Sequence, residues 1–172
     1  MELAGGDTLT LDRGPTTFES FYRSRIAPTV RLATLLGCDD PENAAQEAML
    51  RLHHKWPSFP TDADATAFLR RIVINLSRDH WRRTQLRRHK PRFDLAVTAT
   101  VEDVAVVHEE HREVLAGIAR LSTRQREAVV LRYWQELAEA EVAAAMNTSV
   151  GSVKTHLSRA MRSLTQYLEV RR

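Results

Sequence analysis

Apolar residues recur along this 172-residue chain every three or four positions and almost never every second one, in runs cut by proline, glycine and capping residues. A helix face buries that period and a strand does not, so the pattern restricts the chain to packing helix on helix. No Asn-Gly or Asp-Gly pair and no sustained apolar–polar alternation marks a hairpin. The expectation is an all-α fold of two small helical domains joined by a linker, with four helices in each half and no internal repeat.

Thr16 and Glu19 have capping-box spacing and open a helix with Phe18, Tyr22 and Ile26 on one face. Pro28 should end or kink that helix and can start the next, which carries Val30, Ala33, Leu35 and Leu36 until Gly37 stops it. Asp40-Pro41 is a restart, a carboxylate that caps and a proline whose missing N–H costs nothing in the first turn. The helix it opens buries Ala45, Ala48, Met49, Leu52 and Trp56 and shows Glu42, Gln46, Glu47, Arg51 and His54. Pro57 and Pro60 bracket a loop reaching Ala63, with Asp64 as the cap of the next helix. There Phe68, Leu69, Ile72, Val73 and Leu76 form the apolar face, Arg71, Asn75, Arg78 and Arg82 fall on another stripe, and Trp81 lies beside it. From Gln85 to about Thr100 the period fails and Pro91 interrupts, which reads as a linker. The period returns at Val101, Val104, His108, His111, Val114 or Leu115, Ile118 and Leu121. Gly117 inside that helix costs about 1 kcal/mol relative to alanine. Ser122 and Gln125 form a second capping box ahead of Val129, Val130 and Tyr133.

The formal net charge of +3 becomes informative once it is divided by position. Residues 1–69 carry −4, 70–92 carry +8, 93–107 carry −3, 108–149 carry −2 and 150–172 carry +4. Charge runs are ordinarily solvated helix faces, but two separate cationic blocks in an otherwise acidic chain fit two contacts with a polyanion. The single cysteine, Cys38, closes no disulfide and builds no thiolate zinc cage. No apolar run approaches the roughly 18 residues of a membrane span, and residues 1–14 lack the basic start and apolar core of a signal peptide. A cytoplasmic protein without a membrane segment is expected. His53-His54 and the i, i+3 pair His108 and His111 lack a signposted third ligand, so neither a metal nor a cofactor is expected. The absence of a Gly-rich phosphate loop, a Gly-x-Ser-x-Gly elbow and a catalytic cysteine context argues against an enzyme.

The last fifty residues carry the sharpest motif. Leu137, Val142, Ala143 and Met146 mark a short helix, Asn147-Thr148-Ser149 a tight turn, and Val153, Leu157, Ala160, Met161 and Leu164 the apolar face of a longer helix. Asn147 tolerates a left-handed backbone and Ser149 can cap the longer helix. Lys154, Thr155, Ser158, Arg159 and Arg162 are left on the outside, as in a helix-turn-helix whose second helix enters the major groove. Gly151 and Ser152 permit close backbone approach, and N–H groups there can bind phosphate. The same spacing also suits an antiparallel helical hairpin with a wet basic face.

The stretch Leu121 to Leu164, LSTRQREAVVLRYWQELAEAEVAAAMNTSVGSVKTHLSRAMRSL, resembles region 4 of an extracytoplasmic-function sigma factor. PENAAQEAMLRLHHKW (Pro41 to Trp56) resembles the region 2 helix that docks on RNA polymerase, and AFLRRIVINLSRDHWRR (Ala67 to Arg83) the helix that meets the −10 element. The wording is similar to that of actinobacterial sigma-E-like members, and the matches stand in the family's order. The resemblance implies region 2 over residues 16–88, a linker over 89–107 and region 4 over 108–168. It implies an initiation factor with core RNA polymerase and promoter DNA as partners, the −35 element as duplex and the −10 element as single strand, and control by an anti-sigma factor.

Position by position, the resemblance puts Gln46, Glu47, Met49, Leu50 and Arg51 at the polymerase and the loop with Ser58, Phe59, Asp62 and Asp64 at a base flipped from the −10 strand. It puts Asn75 near that base, Arg71, Arg78 and Arg82 on phosphates, and Trp81 either stacked on a base or in the core. Arg132, Gly151, Ser152, Lys154, Thr155, Ser158, Arg159 and Arg162 match the −35 contacts. A cationic groove and a fitted pocket would return the stacking energy that strand opening costs. The chain departs from the family pattern at Ala138, where a capping serine or threonine is common, and at Asn147, which replaces a common turn glycine. Ser158 is small where some relatives carry a larger side chain, and fewer acidic residues follow Pro41 than in many relatives. The competing reading is a helix-turn-helix repressor or activator acting without polymerase, which would have no need of the cationic stripe after the proline-bracketed loop.

Overall fold

The computed structural model describes residues 16–86 and 109–170; the linker, with Asp94, Glu102 and Asp103, and the apolar positions Val101 and Val104 lie outside the described residues. All regular elements among the described residues are helical. The N-terminal half holds α1 (Phe18–Leu36), α2 (Pro41–His54), a short 3-10 turn (Trp56–Ser58) and α3 (Asp62–Leu86). The C-terminal half holds α4 (Glu109–Arg120), α5 (Thr123–Val129) running into a π turn (Val130–Trp134), α6 (Glu139–Met146) and α7 (Val150–Glu169).

The N-terminal half has three α-helices rather than the expected four, because Pro28 lies inside one continuous α1. Proline removes one ladder hydrogen bond and costs about 3 kcal/mol or more. On either side of it, however, Phe21, Leu32, Ala33 and Leu36 are at most 4% exposed in one core. Burial of side chains of that size is worth roughly 1.5–3 kcal/mol each for the larger ones, which outweighs the proline. The helix begins one residue late: Thr17 accepts from Ser20 N at 3.3 Å, while Thr16 instead donates through its N–H and hydroxyl to the Asp62 carboxylate. Gly37 ends α1 at φ 85°, a left-handed conformation that favours glycine.

Asp40 caps α2 by accepting from Asn43 N at 3.0 Å, and Ala45, Ala48, Met49 and Leu52 are buried as their spacing predicts. Trp56 lies beyond the helix and meets Phe18 and Phe21 with its ring. The first turn of α3 is capped by Thr61 rather than Asp64, since Thr61 Oγ1 accepts from Asp64 N at 3.1 Å and donates to its carboxylate at 2.7 Å. The loop before α3 is correspondingly shorter than the prolines suggest.

In the C-terminal half, Gly117 lets α4 and α7 cross closely: a Cβ there would stand 2.9 Å from Leu164 Cδ2 and 3.1 Å from the Tyr167 ring. Along α7, Val153, Leu157, Ala160 and Leu164 are buried, but Met161, expected in the core, is 45% exposed. The two halves share one continuous apolar core, with α3 packed on α6 and α1 on α5 and the π turn.

Candidate nucleic-acid interface

The helix-turn-helix is built from α6, α7 and the turn between them. Asn147 takes the left-handed conformation (φ 52°, ψ 57°), and its N–H and that of Thr148 close the end of α6. Ser149 Oγ accepts from Ser152 N at 3.1 Å and lies 2.9 Å from Ser152 Oγ, capping α7. Ala138 has no side-chain oxygen to cap α6, and Glu141 makes only the reciprocal half of a capping box, its carboxylate accepting from Ala138 N at 2.8 Å.

On the outer face of α7, Lys154, Thr155, Ser158, Arg159 and Arg162 are all exposed. Thr155 Oγ1 donates to Gly151 O at 3.0 Å, and Lys154 Nζ lies 3.7 Å from Glu139, a loose surface pair that costs little to break. A side chain placed at Gly151 would meet only Ser149 Oγ, at 3.9 Å, so the backbone at this end of α7 is open to approach. Arg132 does not join this face as a free cation. It is half-buried, its guanidinium donates to Leu137 O at 3.1 Å, and it lies over the Tyr133 ring, so it braces the segment before α6.

The second cationic block divides in three dimensions. Arg71 and Asn75 are exposed and line a cleft of about 700 Å³ with Arg51, His54, Lys55, Phe68, Ile72 and the partly buried Arg78, while Ala145 and Asn147 at the end of α6 form its other wall. Arg82 is exposed and pairs with its neighbour Asp79 at 3.3 Å. Trp81 is half-buried. Arg78 is the exception among the expected phosphate contacts, because its guanidinium makes two bonds of 2.7 Å to the Glu127 carboxylate on α5 and a third, of 3.2 Å, to Met146 O. Its side chain is only 14% exposed, so in this conformation it is not available to DNA.

The loop ahead of α3 keeps Ser58 exposed, but Phe59 packs its ring 5.1 Å from Phe68 and is half-buried. Asp62 is occupied by Thr16, both of whose bonds are 3.0 Å, and Asp64 by Thr61, so these carboxylates tie helix ends together. On α2, Gln46 is exposed, Leu50 is 58% exposed, and Glu47 pairs with Arg51 one turn away. Met49 is 1% exposed: it falls in the apolar row with Ala45 and Leu52, so its side chain belongs to the core and not to a docking face.

Two exposed aromatics escape the periodicity reading. Tyr133 and Trp134 are 58% and 52% exposed although α5 continues into them. The chain there widens to a π turn, closed by Gln135 N donating to Val130 O at 3.0 Å, and the inserted residue rotates these rings out of the helical register. No sequence signal marks that insertion. Arg126 is missed for a different reason. Its guanidinium is buried and donates to Ala119 O, Leu121 O and, across the halves, Leu36 O at 3.3 Å, with burial holding its pKa below the usual arginine value. Burial lowers the pKa of Arg70 as well, opposed by the charge of Glu141 on α6. Among the described residues no three His, Cys, Asp or Glu side chains converge, and His53 lies against the Phe18 ring at 4.5 Å.

Two family descriptions match the chain in succession, Sigma-70 region 2 over residues 22–87 and Sigma-70, region 4 over residues 111–164. The RNA polymerase sigma-E factor of Streptomyces avermitilis is 33% identical over 156 residues, spanning 90% of this chain and 86% of that protein. The ECF RNA polymerase sigma factor SigM of Mycobacterium tuberculosis is 32% identical over 159 residues, spanning 88% and 76%. Among solved structures, the sigma factor RpoE in complex with the anti-sigma factor NepR from Bartonella quintana superposes with a TM-score of 0.69 at 20% identity, over 90% of this chain and 98% of that one. CnrH in complex with the cytosolic domain of CnrY gives 0.63 at 21% identity, over 89% and 88%. At those identities the two structures speak to the fold.

Proposed function

The chain belongs to the sigma-70 family of RNA polymerase initiation factors, in the two-region form of its extracytoplasmic-function members, and on that premise we propose how its residues divide the work. Core RNA polymerase and promoter DNA are its partners. Region 2 takes residues 16–88, region 4 residues 108–168, and 89–107 connect them. Lys154, Thr155, Ser158, Arg159 and Arg162 read the −35 duplex, with Gly151 and Ser152 admitting a phosphate to the start of α7. Arg71, Asn75 and Arg82 hold the opened −10 strand beside Ser58, and Gln46, Glu47, Leu50 and Arg51 face polymerase. The factor performs no covalent chemistry; it supplies DNA recognition and strand opening.

The observation that carries this division is that two separate helices on one chain each present an exposed cationic face, α3 through Arg71 and Arg82 and α7 through Lys154, Arg159 and Arg162. A duplex-binding repressor would need one. Mixing the full chain with core polymerase and following co-elution tests the reading, and failure to associate with no inhibitor present would overturn it. Transcription in vitro with the reconstituted holoenzyme, followed by mapping of the 5′ ends, then delivers both promoter elements together.

RpoE was solved with an anti-sigma factor and CnrH with the cytosolic domain of CnrY, and we propose an anti-sigma partner for this chain as well, one that covers the polymerase-facing surfaces of both regions. No helix among the described residues is long and apolar enough to cross a membrane, which fits action in the cytoplasm on DNA and polymerase.

A further inference from the structure

A bidentate polar contact between the two regions is made by a residue expected on DNA. Arg78 of α3 and Glu127 of α5 are separated by 49 residues in sequence, yet they meet in a bidentate pair of 2.7 Å bonds, with side chains 14% and 1% exposed. Arg78 also donates to Met146 O, at the end of the first helix of the helix-turn-helix, and Arg124 donates to the same carbonyl at 3.1 Å. A second clasp joins Arg126 to Leu36 O at the end of α1.

This closed form cannot serve a promoter. Elements centred about 25 base pairs apart lie about 85 Å apart along B-DNA, whereas a folded chain of this length has a radius of gyration of about 16 Å. The regions must therefore separate, and Arg78 must release Glu127 before it can meet a phosphate. Arg71 and Asn75 also face Ala145 and Asn147 across the cleft, so closure narrows access to the −10 surface.

We infer that Glu127 is an internal stand-in for a −10 phosphate, and that the Arg78–Glu127 pair is a latch holding the free factor closed until polymerase and the DNA strand replace the carboxylate. This rests on the initiation-factor reading and adds a device within it. A carboxylate buried against the guanidinium is a competitor at very high effective concentration, and a factor competent only when open shows its affinity reduced by the open fraction. The bidentate geometry gives the latch its specificity, since a planar fork fits a carboxylate and a phosphate alike. Breaking one partner leaves Glu127 with only the longer Arg124 contact at 3.4 Å, or Arg78 with only Met146 O, so a buried charge loses its bidentate partner and opening to water is favoured.

The test uses the full chain and two readouts, the radius of gyration from small-angle X-ray scattering and the rate of association with core polymerase. Glu127→Gln and Arg78→Gln should each raise the radius by at least about a quarter over wild type and speed association roughly tenfold. Arg124→Gln, which touches Glu127 from within region 4 at 3.4 Å, should change neither. Should Glu127→Gln lose helical content, Arg78→Gln decides, because it leaves region 4 intact. Folded variants with the wild-type radius would overturn the latch. A wild-type chain that never binds polymerase would instead overturn the function on which it rests.

Discussion

Cys38 lies just past the glycine that ends α1, where burial, followed by the charges of Asp39 and Asp40, raises its thiol pKa from 9.0 to about 12. A shift of that size cuts the thiolate about a thousandfold near pH 8, and the greater nucleophilicity of a more basic thiolate returns part of the loss. Alkylation by iodoacetamide should run about fortyfold slower in the native chain than in urea. Because the folded pKa is the higher one, this group contributes its full stability below pH 9.0 and loses it progressively as pH rises toward about 12. At the DNA surfaces, Arg159→Ala should weaken −35 duplex binding by about 1–3 kcal/mol with little change in core polymerase affinity. Filter binding and co-elution measure the two separately, and equal losses in both would contradict the placement. Asn75→Ala should leave −35 binding intact and impair open-complex formation, read by permanganate footprinting on a duplex promoter. The residue types at these positions were legible in sequence because an exposed stripe at helical spacing needs nothing distant to define it. Arg78 was not, since the carboxylate that claims it belongs to another region.

At the scale of the element, caps and turns followed local chemistry. Asp40, Gly37, Asn147 and Ser149 behave as their residue types predict, because each interacts only with backbone a few positions away. The misreadings have causes that local preference does not contain. Pro28 failed to break α1, and Tyr133 left the buried face, because core packing and a backbone insertion outweighed local preference. Gly117, which sequence alone marks as a weakness, is the residue that lets α4 lie close to Leu164 and Tyr167. Gly117→Val should therefore destabilise the protein by about 1–3 kcal/mol through overpacking, measured by urea denaturation. On α7 the exposed cations Lys154, Arg159 and Arg162 predict that log affinity for −35 duplex falls against log salt with a slope of about −3. A slope near zero would remove α7 from the phosphate backbone.

Across the whole molecule, the +8 block that reads as a single DNA-facing stripe is shared between two tasks. Arg71 and Arg82 face solvent, whereas Arg78 binds the other region. Because one apolar core runs through both regions, unfolding should be cooperative. Single-tryptophan variants retaining Trp56, in the N-terminal half, or Trp134, in the C-terminal half, should give coincident urea transitions, and Glu127→Gln should split them. Sequence by itself determined the all-helical class, the placement of most helices, the paired cationic blocks and, through two ordered resemblances, the family. These depend on patterns a few residues long, set by helix geometry and by the chemistry of helix ends. The tertiary structure decided which charges meet water and which meet one another. A guanidinium and a carboxylate 49 residues apart carry no local mark of their pairing, and only the packing of the two halves, α3 on α6 and α1 on α5, brings them together and excludes the solvent that would otherwise screen them.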